Sequence, residues 1–128
     1  MKKCLPYVAL VLLFAGISVV HAQQPNGGRE DSTIAVAKAF VGMFASGDDA
    51  KCVALFDTTM KVLMPESKVK EARDSVFARF GPFKAQLYTK TQKYMAYDIV
   101  FVTCQFERDR ADVRVVLDAS RKVAGLFF

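Results

Sequence analysis

The chain has 128 residues, a formal net charge of +5 and an apolar fraction of 52%, which fits one folded domain and argues against a second independent core. Its only histidine is His21, and it has no tryptophan. If the first 22 residues are removed, the remaining 106 contain no imidazole. That excludes a Ser-His-Asp triad, a Cys-His pair and a histidine-ligated metal site.

Residues 1–22 have the pattern of a secretory signal peptide. Two lysines precede an apolar run over residues 7–20, and the small residue Ala22 follows, as in cleaved leaders. We predict cleavage near Ala22 and export to the periplasm or secretion. No later apolar stretch approaches the roughly 20 residues that cross a membrane, so we expect no membrane span in the mature form. The cleaved chain keeps 16 Lys and Arg against 13 Asp and Glu, a net charge of +3, which predicts no nucleic-acid partner.

Cys52 and Cys104 remain after cleavage, and export would place them in an oxidising compartment. A disulfide between them would close a loop of about 50 residues and stabilise the fold by roughly 3–4 kcal/mol in the chain-entropy model. The alternative is two small buried apolar side chains that never meet. Both alternatives stay open, because the sequence does not contain the Cα separation that a disulfide requires.

Helical periodicity dominates the first half of the cleaved chain. Polar residues with Pro and paired Gly predict a flexible linker over residues 23–30, ahead of one domain over residues 31–128. Asp31 and Ser32 can cap a first helix. Further helical segments are predicted over residues 48–56, 58–64 and 66–80. On the last of these, an apolar stripe begins at Val69, and charged residues that include Arg73 are predicted to face solvent.

The sequence period changes to two after Gly81-Pro82, which predicts strands. They are expected over residues 83–90, 98–106, 113–117 and 123–128. Ile99 and Phe101 make both faces of the second strand apolar, so it is predicted to be central or covered twice. Helices followed by an antiparallel meander predict an α+β fold, with the N-terminal helices packed on a curved sheet of about four strands.

Several short segments resemble a known family in their order and spacing. They are Phe40-Val41-Gly42-Met43-Phe44, Ala54-Leu55-Phe56-Asp57, Gly81-Pro82-Phe83 and the closing residues 122–128. They are similar to a family of uncharacterised domains of exported bacterial proteins, sometimes found ahead of an α/β-hydrolase. The whole layout resembles the cone-shaped superfamily of nuclear transport factor two-like and polyketide-cyclase-like domains, which implies a pocket between helices and sheet.

The leading prediction for function is an exported, non-enzymatic binding or interaction module with no cofactor and no metal. Its partner would be a small apolar ligand, an envelope protein or a second copy that forms a homodimer through the sheet. Residues 126–128 are the stretch expected to pair with a neighbour. The predicted pocket lining consists of four phenylalanines, namely Phe44, Phe56, Phe101 and Phe106.

The alternative prediction is a small enzyme of the proton-transfer or dehydration type. The superfamily resemblance implies chemistry that needs only a buried aspartate and a tyrosine. Asp57 or Asp98 would act as the acid–base group, with Tyr97, or else Tyr88 or Tyr94, as hydroxyl donor. An aspartate that follows a helix is usually a cap or turn residue, so no catalytic residue is predicted. A filled apolar interior would eliminate the enzyme.

The strand half of the chain is basic. A basic sheet face could bind an acidic polysaccharide, an anionic envelope surface or an acidic partner. It could also simply be the solvent-exposed face of the sheet. The residues are Lys84, Lys90, Lys93, Arg108, Arg110, Arg114 and Arg121.

Overall fold

The computed structural model describes residues 25–128, and the predicted signal peptide lies outside the described residues. Within them, four helices precede four strands. The helices are α1 (Pro25–Ser46), α2 (Asp49–Leu55), α3 (Thr58–Leu63) and α4 (Glu66–Phe80), and the strands are β1 (Phe83–Tyr94), β2 (Tyr97–Phe106), β3 (Arg110–Leu117) and β4 (Val123–Phe127). The strands form an antiparallel sheet in the order β1-β2-β3-β4. The predicted α+β fold is confirmed.

The core lies between the helices and one face of the sheet, which we call the inner face. Alternate residues of β2 from Val100 to Phe106 are buried, and so are alternate residues of β3 from Val113 to Leu117. Phe40 on α1 packs onto Phe56, which follows α2, with ring centres 5.7 Å apart. The period-two pattern of the central strands therefore follows directly from burial of one face.

Helix α4 ends at Phe80, before Gly81, for a steric reason. Gly81 has φ 90° and ψ 176°, a backbone region that is nearly restricted to glycine. A Cβ at this position would lie 2.9 Å from the Cβ of Glu107. Arg108 reaches back and donates to the carbonyl of Ala78 at 2.7 Å, which satisfies one of the last helical acceptors.

Three element boundaries differ from the sequence prediction by three residues or more, and one of them is the start of β3, which lies at Arg110 instead of residue 113. Helix α1 begins at Pro25, so part of the predicted linker is helical. Ser32 and Thr33 donate to the carbonyls four residues earlier, at 3.1 and 2.9 Å, so they bond within the helix instead of capping it. Strand β1 extends beyond residue 90, because its polar C-terminal half pairs with β2 as far as Tyr94.

The prediction that Arg73 faces solvent is wrong. Arg73 is 8% exposed and donates through Nη1 and Nη2 to the carboxylate of Asp49. Its Nη1 also lies 3.5 Å from the carbonyl oxygen of Phe44. A buried ion pair therefore joins α2 to α4. The apolar stripe of α4 could not predict this pair, because Asp49 lies 24 residues from Arg73 in the sequence.

Candidate functional site

The two candidate aspartates and Tyr97, the first of the candidate hydroxyl donors, lie in separate parts of the structure. Asp57 is the N-cap of α3, and its Oδ1 accepts a hydrogen bond from the backbone N–H of Met60 at 2.8 Å. Asp98 lies 3.0 Å from the Nζ of Lys93 and 3.8 Å from the guanidinium of Arg29. Tyr97 is 39% exposed at the start of β2. Asp98 and Tyr97 are consecutive residues on a strand, so their side chains point to opposite faces.

Strand pairing also separates the two aspartates. Asp98 pairs with Leu117 on β3, and Leu117 pairs with Val123 on β4. Phe56, next to Asp57, forms an isolated bridge to Val123. Three steps at a strand spacing of about 4.8 Å place Phe56 roughly 14 Å from Asp98, so one substrate atom could not contact both carboxylates.

Three of the four predicted pocket phenylalanines share the core, and the fourth does not. Phe44, Phe56 and Phe106 are at most 3% exposed, and their rings pack against other phenylalanines. Phe101 lies on the opposite face of β2, because residue 101 alternates with the buried residues 100 and 102. Within residues 25–128, the buried polar or charged side chains are Thr33 and Arg73, and neither is a predicted catalytic residue.

Asp98 lines a polar cleft between α1 and the β1–β2 hairpin. The cleft has a volume of about 370 Å³. Its charges already have partners, since Asp98 pairs with Lys93 and Arg29. Glu30 on the same wall accepts a hydrogen bond from the Thr91 hydroxyl at 2.7 Å. The charged groups of the cleft therefore bind one another or a neighbouring hydroxyl, and they leave little free charge for a substrate.

The two cysteines within residues 25–128 are free thiols buried in the core, Cys52 on α2 and Cys104 on β2. Burial, with a smaller contribution from Asp49, raises the pKa of Cys52 from 9.0 to about 12. Burial also raises the pKa of Cys104 to about 11. Neither thiol therefore has the lowered pKa that a nucleophile needs.

We expect both thiols to resist alkylation at pH 8 in the folded protein and to react fully once it is denatured without reductant. Peptide mapping by mass spectrometry measures both states. Because the unfolded thiols ionise at lower pH than the folded ones, the free energy of unfolding should also fall as the pH rises above about 9. Rapid labelling of the folded protein, or resistance after denaturation, would contradict the buried free thiols.

The face of the sheet opposite the helices, which we call the outer face, carries a row of alternating cations and rings. Lys90, Phe101, Arg114 and Phe127 are successive cross-strand partners on β1, β2, β3 and β4. The Arg114 guanidinium lies 5.3 Å from the ring centre of Phe101 and 5.6 Å from that of Phe127. The Nζ of Lys90 lies 5.9 Å from the Phe101 ring centre. We call these four residues the cation–ring row.

The cation–ring row adjoins an open groove across β1, β2 and β3. The groove has a volume of about 740 Å³ and includes Tyr88, Arg110 and Asp112 beside the row. Tyr88 is 60% exposed and Phe127 is 53% exposed. The sequence shows that Lys90 and Arg114 belong to the basic, strand-forming half of the chain. It does not show that they lie in one row, because that depends on the register between the strands.

Together these observations define a small α+β domain with an apolar, packed interior and an exposed outer sheet face that is basic and aromatic. The chain matches the family described as Protein of unknown function (DUF3887) over residues 37–126, and it belongs to that family. No curated protein and no solved structure matched the chain. Among the helices of residues 25–128, none is long and apolar enough to cross a membrane.

Proposed function

We propose that this protein is an exported, non-enzymatic binding module of the cone-shaped superfamily, and that its ligand contacts the outer face of the sheet. The observation that carries the proposal is the cation–ring row. Exposed rings and cations held in fixed positions are typical of recognition surfaces. The arrangement of helices over a curved antiparallel sheet supports the superfamily assignment, and association with a hydrolase remains a prediction from the resemblance.

The interior supports a binding role over an enzymatic one. Acid–base chemistry on this fold would require an aspartate in an apolar cavity, where desolvation raises its pKa toward neutrality. Asp57 instead caps a helix, and Asp98 has two cationic partners. Three of the phenylalanines predicted to line a pocket are buried against other phenylalanines of the core, and Phe101 lies on the outer face. The proposal therefore places the ligand outside the core.

Export is tested at the N terminus of the protein recovered from the producing cells. Cleavage after Ala22 should give an exported chain that begins at Gln23, as read by N-terminal sequencing. A chain that keeps Met1 and stays in the cytoplasmic fraction would reject export.

Binding through the outer face is tested by lysine footprinting, which requires no knowledge of the ligand. An amine-reactive reagent is applied to intact cells and to the purified protein. We expect Lys90 to label several-fold more slowly in cells than in the purified protein. The exposed Lys61 on α3 and Lys122 before β4 are controls that should label alike in both. Equal labelling of Lys90 in both samples would reject a ligand at this face.

The proposed homodimer would form at the edge of β4 beyond Val123, which itself bridges to Phe56, and not across the outer face. An edge strand presents unpaired backbone groups that a second copy can extend, and Phe127 and Phe128 beside this edge are about half exposed. Sedimentation at high micromolar concentration measures the state directly. A monomer would reject the dimer and leave the binding face untouched.

A further inference from the structure

We propose that the outer face binds an acidic polysaccharide, a linear polymer of sugars that carry carboxylate groups. This inference rests on the proposed function, because it names the ligand class for the same surface.

Arg114 is held as a carboxylate receptor. Its guanidinium lies between the rings of Phe101 and Phe127, at 5.3 and 5.6 Å from their centres. Contact with two rings restricts its rotamers and leaves the edge of the guanidinium free to donate. A planar guanidinium can donate two parallel hydrogen bonds to one carboxylate, which a lysine ammonium cannot match.

The spacing of the cations suits a polymer better than a single small anion. Lys90 and Arg114 lie on strands that flank β2, so their backbones are about 10 Å apart at the usual strand spacing. Within residues 25–128, no carboxylate lies within 4.0 Å of a charged nitrogen of Lys90, Arg110 or Arg114, whereas Arg73, Lys68 and Lys70 on α4 all have such partners. The outer face therefore holds uncompensated positive charge.

Asp112 distinguishes a sugar polymer from a dense polyanion. Its Oδ1 accepts a hydrogen bond from the Thr103 hydroxyl at 2.6 Å, and its second oxygen can accept from a sugar hydroxyl. A carboxylate beside the groove would repel a nucleic acid, whose backbone carries closely spaced phosphates. It suits a ligand with hydroxyl groups between its charges. The exposed side chain of Tyr88 nearby can pack its ring against a sugar ring and form a hydrogen bond through its hydroxyl group.

Shape and charge favour this ligand over the other candidates for the face. A groove admits a chain more readily than the flat surface of a bilayer. Lys90, Arg110 and Arg114 against Asp112 give this face a local charge of +2, and a second copy that docks by the same face would place like charges opposite each other. An extended anionic polymer meets neither obstacle.

The test measures binding of polygalacturonate to protein recovered from the exported fraction, by calorimetry at low and physiological salt. We expect binding that weakens with salt. The variant Lys90→Gln/Arg114→Gln should bind at least about tenfold more weakly, and Arg114→Lys should lie between it and the wild type because the paired donors are lost. The matched variant Lys61→Gln/Lys122→Gln removes the same charge elsewhere and should bind within about twofold of the wild type. Circular dichroism melts show whether each variant is folded.

Several results would overturn the polysaccharide assignment. They are equal binding of neutral dextran, equal or tighter binding of single-stranded DNA or of vesicles with anionic lipid, and an equal loss of binding in both double variants. If Lys90 is protected in cells but polygalacturonate does not bind, the ligand class is rejected while the binding face stands. If Lys90 is not protected, the proposed function fails first.

Discussion

Replacing Asp49 with alanine is expected to lower the free energy of unfolding by about 3 kcal/mol, as when one partner of a buried ion pair is removed. The Arg73 side chain is 10% exposed and that of Asp49 is 18% exposed. The hydrogen bond that Arg73 donates to Asp49 raises the pKa of Arg73, against the effect of burial. A guanidinium stays protonated in proteins even without such a partner, so Arg73 would keep its charge when Asp49 is removed. The guanidinium would keep only the carbonyl of Phe44, 3.5 Å away.

Urea unfolding of the variant measures this loss. Asp74→Ala is the matched control, because Asp74 pairs with Lys70 at 2.8 Å but both side chains are about 60% exposed, and exposed pairs contribute little. The double variant Asp49→Ala/Arg73→Met should recover much of the stability, because it leaves no unpaired charge. An Asp49→Ala variant as stable as Asp74→Ala would contradict the buried pair.

Replacing Phe56 with alanine should lower the free energy of unfolding by about 3–5 kcal/mol, the range for a large-to-small change in a packed core. Phe56 is 1% exposed, and its ring packs on Phe40. It also joins the helical layer to the sheet through its bridge to Val123. Because strand and helices meet at this residue, we expect the surrounding backbone to close the cavity only partly.

Phe127→Ala provides the comparison for Phe56→Ala, since it removes the same ring from a site that is 53% exposed. It should change stability by no more than about 1 kcal/mol. Chemical denaturation of the two variants under the same conditions gives the difference directly. Similar losses in both would show that Phe56 does not occupy a close-packed core.

The elements predicted best are those with strong local signals. Helix α4 has the predicted limits because Pro65 and Gly81 bound its apolar stripe. Strand β2 is recognised within one residue because its apolar alternation is continuous. Helix α1 begins earlier than predicted because hydroxyls that resemble caps bond within the helix. The C-terminal half of β1 was not predicted because it has no apolar alternation. The turn that follows it places Met95 at φ 55° and contains no glycine or asparagine to mark it.

The candidate site was predictable in its residues but not in its arrangement. Lys90 and Arg114 are recognisable as part of a basic half, and Phe101 as an apolar residue on the second face of β2. Their alignment depends on register shifts in β1 between Phe83 and Ala85 and between Gln86 and Tyr88. A slip of one residue moves every side chain to the other face, so period counting cannot locate the row.

The chain order of the two layers has a consequence for how the protein folds during synthesis. Each strand pairs with its neighbour in sequence, so the hairpins need only short loop closures. Helix α1 is made first, yet its buried residues Phe40 and Val41 pack on a sheet whose central strands are synthesised some 60 residues later. A nascent or truncated chain that stops before β3 would therefore carry an uncovered apolar stripe and would be prone to aggregate.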